Sequence, residues 1–280
     1  MVDKIPDDAL QLIDIESVFA SKDEKLLKRI PGFLIRYLKR IVHQNEINEF
    51  LIRNQNCLPS EFINRALEFF EVNIKTIGLE NLPKNPRAII VANHPLGGLD
   101  GVSLAKVIGK NLDMGVKITA NDLLMNLVPM RPALIGLNKH GGNAKSYVSD
   151  MHESFVSNHP VIFFPAGLIS RRTKGKIEDL EWKRTFIKKS IEYKRDIVPV
   201  HINGRVSSFF YRLANLRKFL RIRQNIEMLY LPNEMFKQRQ QELIMTFGKP
   251  ISWKTFTPDK TAEEWAQKVK EIVYGLNNKS

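Results

Sequence analysis

The chain is predicted to be an α/β protein built on a mixed, mainly parallel sheet flanked by helices, with an N-terminal helical extension. Three observations predict this. Short apolar runs of strand length recur from residue 72 onward, as buried strands require. Between most of them lie stretches with apolar residues at helical spacing, the alternation that a parallel sheet covered on both faces needs. The first 70 residues carry helical patterns and no strand-like run. A boundary near residue 70 therefore divides an extension, 1–70, suited to membrane docking, from an α/β domain, 71–280.

The elements follow in order. Leu26, Leu27, Ile30, Phe33, Leu34, Tyr37, Leu38 and Ile41 recur at helical spacing, with Lys25, Lys28, Arg29, Arg36, Lys39 and Arg40 between them. This is a basic amphipathic helix of the kind that lies on a membrane surface, although a core-packed helix with a solvated basic face gives the same pattern. Pro31 starts or kinks it, because proline has no amide to donate. Ser60 caps a second helix running to Phe70. Strands are expected at 72–79, 87–92, 115–119, 133–137, 161–164, 197–202 and 243–247. Helices are expected over 102–108, 121–128, 145–157, 182–193 and 262–274. The segment from Phe209 to Arg223 is again apolar at helical spacing and rich in Arg and Lys.

The chemistry gathers at strand ends. Ala88-Ile89-Ile90-Val91 runs into Ala92-Asn93-His94-Pro95-Leu96-Gly97-Gly98-Leu99-Asp100. Pro95 fixes one φ angle and the two glycines widen the choice of turn, so Asp100 can be brought back to the ring of His94. An imidazole held by a carboxylate is a general base for a hydroxyl or amine. A strand-to-helix turn with a capping aspartate and a surface histidine has the same signature. The backbone amides of the glycine turn are candidates for steadying an oxyanion.

A second loop, Phe163-Phe164-Pro165-Ala166-Gly167-Leu168-Ile169-Ser170-Arg171-Arg172-Thr173-Lys174-Gly175-Lys176, also leaves a buried run. Ligands of α/β sheets collect beyond the carboxyl ends of strands. Arg171 and Arg172 can fork onto a phosphate or carboxylate, with Lys174 and Lys176 as added point charges; a solvated basic loop is the plainer alternative. A third stretch, Ile197-Val198-Pro199-Val200-His201, carries a histidine of the kind more often structural than catalytic. The chain has no Gly-x-Ser-x-Gly elbow, phosphate loop, dinucleotide fingerprint or metal-ligand spacing. No metal or bound cofactor is expected.

The 280 residues carry a formal charge of +13, with 43% apolar and 26% charged residues. A globular chain this basic expects an anionic partner. Aromatic residues are not concentrated in the basic loops, which disfavours nucleic acid and leaves an anionic membrane or a phosphorylated ligand. The single cysteine, Cys57, excludes an intrachain disulfide. The first residues lack the basic start and apolar core of a signal peptide, and no apolar run approaches the ~18 residues of a membrane span. A cytoplasmic protein, peripheral to the inner face of the membrane, is expected.

With these motifs in hand, the sequence resembles the lysophospholipid and glycerol-phosphate acyltransferase superfamily. The matching elements are Asn93-His94 followed by Asp100, then Phe164-Pro165-Ala166-Gly167 with Ser170-Arg171, then Val198-Pro199-Val200, in the same order over about residues 72–250. The resemblance implies a glycerol-phosphate acyltransferase-like fold. It implies acyl transfer from a thioester of acyl carrier protein or coenzyme A to a lyso-lipid hydroxyl at a membrane, with His94 as base and Asp100 as its partner. Asn93, Gly97, Gly98, Pro165, Gly167, Ser170, Arg171 and Arg172 would contact substrate. Two departures point to a branch. The His-to-Asp spacing is one residue longer than usual, with Leu99 at the usual acid position, and Ala166 stands where the family has glutamate. Both resemble the hemolysin-like branch, or O-acyltransferases of aminoacyl lipids such as ornithine and glycine lipids. An N-acylated amino acid, its carboxylate on Arg171, is then the expected acceptor in preference to lysophosphatidate. A non-catalytic membrane- or nucleic-acid-binding protein, and an acyl-thioester hydrolase, remain the rival readings of the sequence.

Overall fold

The structure, a computed structural model, describes residues 12–20, 30–121, 124–136, 144–173, 175–222 and 224–279. All seven expected strands form one sheet: β1 (Asn73–Ile77), β2 (Ala88–Ala92), β3 (Lys117–Ala120), β4 (Leu134–Gly136), β5 (Val161–Phe163), β8 (Asp196–Asn203) and β9 (Glu242–Phe247). Their order is β1-β9-β8-β2-β5-β3-β4. Every pairing is parallel except β8 with β9, so the sheet is mixed and mainly parallel as expected.

The central strand β2 explains why its sequence is apolar without alternation. Ala88, Ile90 and Ala92 face one core layer, while Ile89 and Val91 face the other. Covered on both sides, Ile89, Ile90 and Val91 are fully buried. Each contributes roughly 1.5–3 kcal/mol through that burial. One layer is completed by α4 (Pro59–Phe69) and α5 (Gly98–Leu112). The other is completed by α6 (Ala144–Val156), α7 (Thr185–Tyr193) and α10 (Ala262–Gly275).

The boundary near residue 70 is not a boundary of the core. Leu51 of α3 (Gln44–Arg53), together with Phe62, Ile63, Ala66 and Leu67 of α4, joins the same cluster as Ile90 and Leu104. Only α1 (Ile15–Ala20) and α2 (Gly32–Ile41) sit apart, in a small cluster of Ile15, Ile41 and Val42. Pro31 caps α2 as expected; residues 21–29 of the basic segment lie outside the described residues.

One local expectation is corrected, and two features are added to those expected. The stretch 121–128 is not an α-helix: Pro129 and Pro132 limit it to short 3-10 turns at Leu124–Asn126 and Val128–Ala133. Residues 171–178 form a hairpin, β6 (Arg171–Thr173) against β7 (Lys176–Glu178). A bridge between α8 (Ser208–Phe219) and β9, made of a 3-10 turn at Ile226–Tyr230 and α9 (Leu231–Phe236), packs over the His94 turn. No helix among the described residues is long and apolar enough to cross a membrane.

Candidate active site

β2 ends at Ala92, and the chain turns through His94-Pro95-Leu96-Gly97 into α5. Gly97 makes that turn: its φ of 74° and ψ of −128° are closed to other residues. A Cβ there would also come within 3.0 Å of Leu231. Asp100, in the first helical turn, points back and accepts the amides of Leu96 (2.8 Å) and Gly97 (3.0 Å) on Oδ2. This is the carboxylate half of a capping box; Gly97, having no side chain, cannot supply the other half.

The same Oδ2 lies 3.0 Å from Nδ1 of His94. The longer His-to-Asp spacing therefore still forms the pair, and Leu99, at the family's usual acid position, is buried in the core. The contact is close but not straight enough to count as a well-formed hydrogen bond. Bent catalytic contacts of this kind are common before substrate arrives. Asp100 is completely buried, and burial pushes its carboxyl up. His94 and the Leu96 amide pull it back down, while the charge of Asp179 adds to the rise. The His94 ring stacks on Phe164, with centroids 4.3 Å apart, and remains partly exposed.

The second loop meets the first because β2 and β5 are parallel neighbours. Ser170 donates its amide to the His94 carbonyl at 2.8 Å. Its hydroxyl goes to Asp179 at 2.6 Å, not into the crevice. Asp179 also accepts the His94 amide at 3.2 Å. Asn93 is buried and clamps the end of β8, accepting the Ile202 amide at 2.7 Å and donating to its carbonyl at 2.8 Å. Pro165 is buried, its carbonyl held by the Lys183 amide, and Gly167 turns the exposed tip with φ +66°.

The structure brings together His94, Asp100, Gly97, Gly98, Phe164 and Ser170, and commits Arg171 elsewhere. Arg171, expected as a free fork for an anion, is buried. It donates to the Ile169 carbonyl at 2.9 Å and pairs with Glu227 at 3.1 Å, the latter also meeting Arg217 at 3.0 Å. Arg172 lies over the Tyr211 ring and is half-buried, Lys176 is exposed, and Lys174 lies outside the described residues. The amides of Leu96 and Gly97, expected to face an oxyanion, are taken by Asp100, which leaves Gly98 as the glycine that opens α5. His201 is buried against Tyr274, and burial holds it at about 4, neutral at ordinary pH.

The missed residues are Asp179, Glu227 and Arg217. Nothing in the sequence marked them: Asp179 lies in an acidic run and Arg217 beside Lys218, both of which read as surface, and Glu227 is a lone charge far along the chain. A 660 Å³ cleft lined by Lys106, Lys110, Lys117 and His159 opens at the other end of the strands, far from this chemistry. Among the described residues, no cluster of His, Cys, Asp and Glu is placed to hold a metal ion.

A histidine–carboxylate pair at the carboxyl edge of a mainly parallel sheet has the form of a general base and its partner, and Ser170, the serine brought to it, spends its hydroxyl on Asp179. Residues 17–280 match the family model described as Acyltransferase, so the chain belongs to that family and is an acyltransferase. It is 50% identical to a lyso-glycine lipid O-acyltransferase of Bacteroides thetaiotaomicron, over 96% of this chain and 99% of that protein. It is 48% identical to a protein of the same name from Phocaeicola vulgatus, over 98% of each. The fold resembles that of the 1-acyl-sn-glycerophosphate acyltransferase PlsC of Thermotoga maritima. That likeness has a TM-score of 0.50 at 17% identity, covering 93% of this chain and 86% of that one.

Proposed function

We propose that this acyltransferase moves a fatty acyl group from a thioester of acyl carrier protein or coenzyme A to the free hydroxyl of a lyso-glycine lipid, at the inner face of an anionic membrane. The near-full-length relatives support the acceptor. The observation that carries the mechanism is the His94–Asp100 pair, with Nδ1 held by a buried carboxylate and the ring open on one side.

Asp100 fixes the tautomer in which Nε2 carries the lone pair, and it stabilises the charged ring once formed. Nε2 takes the proton from the acceptor hydroxyl as its oxygen attacks the thioester carbonyl. The tetrahedral intermediate then collapses, the C–S bond breaks, and the imidazolium returns the proton to the departing thiolate. The Asp100 amide is taken by the Gly97 carbonyl, so the amides of Gly98 and Leu99, at the positive end of α5, are the ones offered to the oxyanion.

With Arg171 committed to Glu227, the loop offers the acceptor's anionic end Arg172 and Lys176 in its place. A single carboxylate suits this reduced charge better than a phosphate dianion. Membrane attachment uses the exposed apolar side chains of α2 and α8 with the lysines and arginines beside them.

The test follows thiol release from a labelled acyl thioester with lyso-glycine lipid, with lysophosphatidate, and with no acceptor. Acceptor-dependent release that favours lyso-glycine lipid is expected. Release that ignores the acceptor would make this a hydrolase, and preference for lysophosphatidate would return it to phospholipid chemistry. His94→Ala should lower turnover by roughly 10²–10⁴-fold with Tm unchanged. Near wild-type turnover in that variant removes His94 as the base.

A further inference from the structure

Asp179 lies in an acidic run, Glu178-Asp179-Leu180-Glu181, of a kind that normally faces water, yet it is buried. A buried carboxylate persists only where donors satisfy it. Here three uncharged donors do so. Oδ1 accepts the His94 amide at 3.2 Å and the Ser170 hydroxyl at 2.6 Å, and Oδ2 accepts Nε1 of Trp182 at 2.9 Å. Its main chain is held as well: the amide donates to the Tyr274 hydroxyl at 2.7 Å, and the carbonyl accepts Nζ of Lys270 at 2.7 Å.

Ser170 closes the arrangement by donating its own amide to the His94 carbonyl at 2.8 Å. Both polar groups of the His94 main chain therefore lead to one carboxylate, the amide directly and the carbonyl through Ser170. The turn after β2 and the loop after β5 meet at this side chain, and helix α10 holds its main chain. Nothing else observed at the site anchors the histidine's backbone, since Asp100 holds only its ring.

We propose that Asp179 is the positioning residue for the catalytic histidine, fixing the His94 backbone directly and through Ser170. The proposal rests on His94 being the base. With both polar groups of its main chain fixed, the His94 ring is held where Asp100 meets Nδ1.

Two variants test this positioning. Asp179→Asn keeps the shape but sets an amide N–H against one of three donors. Its kcat should fall between about 10- and 100-fold, the usual consequence of a catalytic group displaced by a fraction of an ångström to an ångström. KM for the acceptor should stay within about threefold, because the residue does not touch substrate. Asp179→Glu keeps the charge but not the reach, so kcat should again fall with KM nearly unchanged.

A folded Asp179→Asn protein with wild-type kcat overturns the proposal, as does a loss confined to KM. If Asp179→Asn does not fold, Ser170→Ala decides: it removes only the hydroxyl bridge, and unchanged kcat there is equally fatal. His94→Ala run alongside keeps the two readings apart. Activity surviving in His94→Ala defeats the base itself, whereas loss in His94→Ala with no effect at Asp179 defeats this proposal alone.

Discussion

At the scale of single residues, the molecule spends buried charge unevenly. Asp100, Asp179, Glu227 and Arg171 each face donors, acceptors or an opposite charge in the interior. His201 does not, and burial alone lowers it to about 4. A histidine that stays neutral in the fold but titrates near 6.5 when unfolded adds nothing above that pH. As pH falls from 6.5 to 4 the unfolded chain gains a proton that the native state refuses, so stability is lost across that window. The shift corresponds to about 3 kcal/mol at full extent. The acid-side fall in Tm should therefore be markedly shallower in His201→Leu than in the wild type between pH 7 and 4.5. Equal slopes would show that His201 is not the group responsible. His94 and Asp100 were legible in the sequence because a strand, a turn and two polar residues lie within 13 positions, residues 88–100. Arg171 was legible as a cation but not as a buried one, because its partner Glu227, which also meets Arg217, comes from far along the chain.

At the scale of elements, the active turn is shaped by the start of α5 and by the bridge that covers it. Gly97 is pinned from both sides, by its positive φ and by Leu231 of α9. Gly97→Ala should destabilise the protein by on the order of 1–3 kcal/mol through backbone strain alone. It should lower activity further by shifting the amides that hold Asp100. Thermal melting and turnover measured together test this; a variant that loses stability but keeps full kcat would show that the turn is structural only. The strands were readable because β-branched runs buried on both faces have no other use. The β6–β7 hairpin was not, because Arg171-Arg172-Thr173 and Lys176-Ile177-Glu178 carry too few apolar residues to stand out from a loop. The helix expected over 121–128 gives way to short 3-10 turns because Pro129 and Pro132 follow directly on its apolar spacing. Arg195 is a further element-scale device hidden from the sequence. Fully buried, it donates to the carbonyls of Phe155 (2.9 Å), His159 (2.7 Å) and Ser157, closing the end of α6.

At the scale of the whole molecule, the +13 charge and the exposed apolar residues share a surface. Phe33 and Leu34 of α2 are exposed beside Arg36 and Arg40, and Leu216, Phe219 and Leu220 at the end of α8 are exposed beside Lys218 and Arg221. The two groups are linked through Tyr230, whose hydroxyl meets that of Tyr37 at 3.0 Å and whose ring packs on Phe209 at 5.0 Å. Apolar side chains left in water next to cations suit the headgroup region of an anionic bilayer, where each basic residue contributes about 1 kcal/mol. Tyr230 also belongs to the bridge that packs over the His94 turn, so the proposed docking surface is continuous with the turn that carries the proposed base. Vesicle flotation should show binding to anionic vesicles at low salt that weakens as ionic strength rises. Phe219→Ser with Phe33→Ser should reduce binding at every salt concentration, while Arg36→Gln, Arg40→Gln, Lys218→Gln and Arg221→Gln together should abolish the preference for anionic over neutral lipid. Equal wild-type binding to both lipids would remove the electrostatic part of the surface, and binding unaffected by the two serine substitutions would remove the apolar part.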